Sequence, residues 1–227
     1  RAGWNIVTTA VPSSAKNFGE TDLPDKSLRY AHAAEAVAEA CAIWDAEGAS
    51  GSPLPQGRPV LVQAGQSGDG RDFAARTAEA IFCPAATIDD GIAFRDDMRR
   101  RIAEHGRDPD GVRIMPGLSF ILAPSEEEAI ARDRALLQLA DLGMCIEYLS
   151  ESFDYDLTVH DPDGPIPMDA ILAGTTFPAA DILRSLAKPV EDGITLGAYA
   201  LRYVQTPRGH NVFRGTPEQM ADMMIRW

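Results

Sequence analysis

Short β-branched runs alternate with longer stretches of helical periodicity, and that alternation limits the fold more than any other feature of the chain. Asn5-Ile6-Val7-Thr8-Thr9-Ala10-Val11 reads as a strand. A helix follows over 28–45, where Tyr30, Ala34, Val37, Cys41 and Trp44 recur at three and four residues. Glu47 to Gly57 is rich in Gly, Ser and Pro and reads as a loop. Pro59-Val60-Leu61-Val62-Gln63 is a buried strand, followed by a glycine-rich turn and a helix from about Asp69 to Ala80. Ile81-Phe82-Cys83 is a further strand, and an amphipathic helix over 89–105 stops at Gly106. Val112 to Met115 and Leu118 to Leu122 are again strand-like. Ser125 is an N-cap, with Glu128 completing a capping box, for a helix running to about Leu142. Residues 150–168 read as irregular. Helices follow near 178–187, 193–203 and 217–226, the last capped by Thr216 with Pro217 at its first position.

Such alternation predicts an α/β fold, a parallel sheet flanked by helices. A closed (β/α)₈ barrel and an open doubly wound sheet both fit, although only about four strand–helix units are clear, fewer than a barrel needs. With 45% apolar residues the chain can bury a sizeable core. Its net charge of −13 argues against nucleic acid as the main partner, since phosphate neutralisation needs a basic face. No run of 18 apolar residues is present to span a membrane. Cys41, Cys83 and Cys145 are far apart and read as small buried residues in a reducing cytoplasm. The four histidines are equally scattered, so no metal site is expected.

The segment Gln63-Ala64-Gly65-Gln66-Ser67-Gly68-Asp69-Gly70 leaves a strand and enters a helix. In α/β proteins that junction lies at the carboxyl end of the sheet, where ligands bind. Gly65, Gly68 and Gly70 can take positive φ and admit close backbone approach. The unpaired N–H groups of the first helical turn attract an anion, Ser67 adds a hydroxyl and Arg71 can add charge. Phosphate is the natural ligand. The pattern is neither G-x-x-x-x-G-K-[ST] nor G-x-G-x-x-G, and a helix start that merely needs small residues and Ser explains it equally simply.

Four blocks then occur in order along the chain. They are Gly3-Trp4-Asn5-Ile6-Val7-Thr8 with Ala15-Lys16-Asn17-Phe18-Gly19 and Arg29-Tyr30; Pro55 to Gly65 with Ser67, Gly70 and Ala74-Ala75; Pro116-Gly117-Leu118; and Gly215-Thr216-Pro217-Glu218-Gln219-Met220-Ala221-Asp222. Together they resemble the bacterial-luciferase-like flavin monooxygenases, in particular the nitrilotriacetate and dibenzothiophene-sulfone monooxygenase group. The resemblance implies a TIM-barrel fold, with 1–227 forming one luciferase-like barrel domain, incomplete in this chain. It implies reduced FMN delivered by a separate flavin reductase, which reacts with O2 to a C4a-(hydro)peroxide that oxygenates a small-molecule substrate. It also implies a cytoplasmic homo-oligomer. By position, Ala64, Gly65, Gln66 and Ser67 would hold the flavin phosphate, while Asn5 and Ile6 would face the isoalloxazine ring. Tyr30 is a further cofactor contact by resemblance, with core packing as its other reading. His210 would be an active-site polar group, or else a solvated loop histidine. Related folds that use deazaflavin F420, and a non-catalytic flavin-binding subunit, are the alternatives. Family members are about twice as long as this chain, and the stretch they carry between Trp44-Asp45 and Pro55 is reduced here to 46–54. A fragment or gapped chain is therefore expected.

Overall fold

The computed structural model describes residues 2–9, 12–49, 55–205 and 210–227. They gather into two compact units, 1–117 and 118–227.

In the first unit, four short strands form one parallel sheet in the order β1-β2-β3-β4. These are β1 (Gly3–Ile6), β2 (Val60–Gln63), β3 (Ala80–Cys83) and β4 (Arg113–Pro116). Three helices connect them: α1 (Lys26–Ala49), α2 (Gly68–Thr77) and α3 (Ile88–Glu104). Side chains alternate across a strand, so every second residue packs on the helices. Ile6 and Leu61 meet Val37 of α1 and Phe73 of α2, while Ile81 and Cys83 join Phe94, Met98 and Ile102 of α3. The other face carries Asn5, paired in register with Val62, and Phe82, paired with Met115. A closed barrel turns such a face inward.

The first strand is shorter than expected. It ends at Ile6, and Thr9 takes φ of 29°, a left-handed conformation that β-branched residues rarely adopt and that ends extended pairing. Ala10 and Val11, the last residues of the expected strand, lie outside the described residues.

The second unit pairs β5 (Leu118–Leu122) with β6 (Asn211–Gly215) in parallel. Around them lie α4 (Glu126–Leu137), α5 (Leu142–Phe153), α6 (Met168–Gly174), α7 (Ala179–Glu191), α8 (Leu196–Gln205) and α9 (Pro217–Arg226). The core of this unit is mostly helical: Leu149, Ile171, Ile182, Leu186 and Leu196 of its helices, with Leu157 from the α5–α6 connection, are each at most 1% exposed.

Several expectations need correction here. The helix opened by Ser125 stops at Leu137, and a new one starts at Leu142, where the Asp141 carboxylate accepts the Met144 N–H. That second helix occupies 150–153, which composition marks as irregular, because Cys145, Ile146, Leu149 and Phe153 recur on one buried face. Ser125 does accept the Glu128 N–H, but the Glu128 carboxylate pairs with Arg132 instead of returning to the cap. Full capping boxes form at Thr87–Asp90 and Thr216–Gln219. Helix α7 continues through Pro189, which has no N–H to give the Ser185 carbonyl. The Tyr199 hydroxyl donates to that carbonyl at 3.3 Å, and the helix survives its proline.

Candidate functional site

The turn between β2 and α2 is braced from three sides. Gln63 is only 3% exposed, and its side-chain Oε1 accepts the Gly65 N–H. Gln66 extends its amide across to the next strand, donating to the carbonyls of Ala64 and Phe82 at 3.2 Å each. Ser67 caps α2 by accepting the Gly70 N–H at 3.2 Å. The N–H groups of Gly68 and Asp69, the other donors of that first turn, have no acceptor among the described residues.

The glycines serve close approach, and none of the three in the turn has positive φ, contrary to expectation. A Cβ on Gly65 would stand 2.7 Å from the Gly70 Cα and 2.9 Å from the Gln63 Oε1. One on Gly70 would stand 2.6 Å from the Tyr30 hydroxyl. Gly68 faces open space. Two glycines thus fold the turn onto itself, and the third leaves room in front of the free N–H groups. This small concave surface, with donors and a helix dipole aimed outward, fits an anionic group such as a phosphate monoester.

Arg71 does not point into that space. Its Nε donates to the Gln66 carbonyl at 3.1 Å, its Nη1 pairs with Asp97 at 3.0 Å, and its guanidinium lies 4.8 Å from the centre of the Phe94 ring. From α2 it ties the turn to α3. Burial alone would raise the Asp97 carboxyl, but hydrogen bonds from Arg71, Arg101 and Arg100 more than offset it and hold it below the ordinary carboxylate value. A depressed folded-state pKa contributes stability above the unfolded value, lost as pH falls through the folded one. Asp97→Asn should therefore cost roughly 1–2 kcal/mol at pH 7, and the gap from wild type should narrow as the pH falls below the ordinary carboxylate range, in urea unfolding midpoints. Cys83, at the end of β3, has its thiol pushed up to about 11, first by burial and against the pull of Arg71. It remains a protonated core residue.

The structure brings most of the expected cofactor residues together. Ala64, Gly65, Gln66 and Ser67 form the turn itself. Asn5 and Ile6 end β1 beside it, in register with Val62 and Gln63. Their side chains diverge: Asn5 is exposed on the uncovered face, whereas Ile6 is 4% exposed and packs against the helices, so only its backbone is available there. Tyr30 packs as its core reading expects, and it also meets the turn. Its ring packs on Phe73 at 5.8 Å and its hydroxyl touches Gly70. His210 belongs to the other unit and directly precedes β6, at the amino end of that strand. Sequence reasoning missed Asp97, and it quoted Gln63 and Arg29 without giving either a role; a glutamine closing an apolar strand was the one visible signal for Gln63. Among the described residues no group of His, Cys, Asp and Glu is arranged to hold a metal ion, and no helix is long and apolar enough to cross a membrane.

A parallel β/α sheet with an open strand-to-helix turn at a strand's carboxyl end defines the class, an α/β fold. The family model for luciferase-like monooxygenases matches residues 1–163. The chain is 33% identical to N-acetyl-S-(2-succino)cysteine monooxygenase of Bacillus subtilis, an alignment covering 100% of this chain and 59% of that protein. It is 32% identical to nitrilotriacetate monooxygenase component A of Aminobacter aminovorans, covering 100% and 57%. Among solved structures it superimposes on a riboflavin lyase crystallised with modified FMN and riboflavin, with a TM-score of 0.74 and 24% identity, covering 99% of this chain and 56% of that one. The chain belongs to the luciferase-like monooxygenase family, and its α/β fold is part of a luciferase-type barrel, incomplete relative to the full-length relatives. It spans little more than half the length of the curated relatives it matches.

Proposed function

We propose that this chain is the flavin-binding portion of a two-component monooxygenase that uses reduced FMN, supplied by a separate flavin reductase, and O2 to oxygenate a small organic substrate. The observation that carries the reading is the cradle formed by Gly65, Ser67, Gly68 and Gly70, with two N–H groups left without a protein acceptor among the described residues. Reduced FMN held there supplies the electrons that activate oxygen; the protein's part is to bind and orient it. Ser67 and the first-turn N–H groups take the phosphate. Tyr30 keeps the turn in place from behind Gly70. Asn5, on the uncovered face at the end of β1, presents its amide to the ring. Residues 1–227 form one partial barrel domain in this reading, and the protein is a cytoplasmic homo-oligomer. Its likeness to a protein named component A supports the separate reductase. Protection against heat by FMN, and none by F420, separates this reading from the deazaflavin alternative. Oxygen consumption that depends on a reductase and matches product formed tests the activity.

His210 remains a candidate active-site polar group only weakly, because barrel active sites gather at carboxyl ends of strands and it stands at an amino end. His210→Asn is expected to change turnover by less than about threefold. A loss of about a hundredfold in steady-state turnover would restore it to the reacting centre.

A further inference from the structure

We propose that Arg29 is a positioning residue that fixes the exit of β1 for the flavin ring, while its neighbour Tyr30 fixes the exit of β2 for the phosphate. The inference rests on the FMN reading above. Both residues lie in the first turn or so of α1, and they reach different strand exits. The Arg29 Nη1 donates to the Thr8 carbonyl at 3.4 Å and to the Thr9 carbonyl. Its Nε is buried and finds no acceptor among the described residues, so its place is set by these carbonyls at the expense of a donor. The chain it holds is strained, since Thr9 stands at φ of 29°. Strain of this kind persists only where the surroundings impose it, and it gathers at ligand sites. Asn5 and Ile6 lie immediately before this turn, in register with the residues that start the glycine turn. One helical turn therefore sets the spacing between the two ends of the flavin.

A lysine keeps the charge, but its shorter, flexible stem has no rigid plane to hold a donor where the Arg29 Nη1 meets both carbonyls. The full-length protein, as wild type and as Arg29→Lys, is titrated with FMN and with riboflavin, which lacks the phosphate. Flavin absorbance gives both affinity and the shape of the bound-ring band. Arg29→Lys should weaken both flavins by at least about fivefold and alter the band, with the FMN-to-riboflavin ratio kept. A merely structural role would move the heat-unfolding midpoint and leave the band of bound flavin unchanged. The double variant Arg29→Lys/Thr9→Gly should recover part of the loss, because glycine holds positive φ without help. Wild-type affinity and an unaltered band in Arg29→Lys overturn the proposal. So does a double variant that binds no better than the single one, which also decides the matter if the single variant folds poorly. A wild-type FMN-to-riboflavin ratio near one overturns the phosphate reading instead, and leaves the riboflavin arm to judge Arg29.

Discussion

Replacing Ser67 by alanine together with Gly65 by valine should weaken reduced-FMN binding at least about tenfold. The two changes act through different causes. Ser67→Ala removes the oxygen that accepts the Gly70 N–H, so the first turn of α2 loses its cap, at a cost of about 1 kcal/mol. It also removes a hydroxyl donor beside the phosphate position. Gly65→Val is the harsher change. Even the first carbon of the new side chain would stand 2.7 Å from the Gly70 Cα, a backbone atom that cannot step aside cheaply. The turn must open, and the free N–H groups of Gly68 and Asp69 then lose their common direction. Anaerobic titration by flavin fluorescence measures the effect, with far-UV circular dichroism to show that the sheet persists. Unchanged affinity in the double variant would remove the phosphate assignment. Gly68→Ala supplies the contrast: its Cβ meets nothing within 4 Å in the protein, so any loss it causes reports crowding of the ligand itself.

Much of this site was legible because its signals are local. A glycine-rich segment with a serine before a helical run declares a strand-to-helix turn with free donors whatever surrounds it. The order Val60–Gln63, turn, helix survived intact in the structure. What the glycines do was not legible. Positive φ was the local guess, but the real constraint is that Gly65, Gly70 and the Tyr30 hydroxyl occupy one small volume, and Tyr30 arrives from a helix about forty residues earlier. Arg71 failed in the same way. Its position at the turn suggested charge for a ligand, yet Asp97 on α3 claims it. Long-range partners decide such cases, and periodicity carries no information about them.

The fold divides similarly. Strands β2, β3, β4 and β5 were visible as apolar runs; buried faces account for β2 and β3, whereas β4 and β5 are apolar with no buried residue of their own. Strand β6 was missed: Asn-Val-Phe-Arg-Gly has no alternation, and what makes it a strand is five paired positions on β5, more than ninety residues away. Helix α5 was hidden because its last turn contains Ser150, Glu151 and Ser152, which read as loop. Ser150 instead donates back to the Ile146 carbonyl at 2.8 Å and accepts the Leu157 N–H at 2.9 Å, so a residue read as breaking the helix closes it.

Asp133 is where the second unit should prove most sensitive. It sits on α4 at 5% exposure, and no sequence pattern marks it as buried. Its carboxylate accepts from the Gln205 amide at the end of α8 and from the Arg214 Nε on β6. Three elements distant in sequence therefore meet on one pair of oxygens. Asp133→Ala leaves the Arg214 guanidinium without its counter-charge. Removing one partner of a buried pair costs about 3–5 kcal/mol, and because Arg214 is 31% exposed and can reach water, roughly 2–4 kcal/mol is expected here. Urea unfolding followed by circular dichroism measures it. The pair as such need not be favourable, since desolvating both charges opposes their attraction. Asp133→Leu with Arg214→Met should therefore recover at least half of the loss. Full recovery would mean that apolar packing at this junction is sufficient, and the ion pair then serves to fix how β6 meets α4. No recovery would mean that the Gln205 bond carries the stability, because that amide is orphaned in both variants.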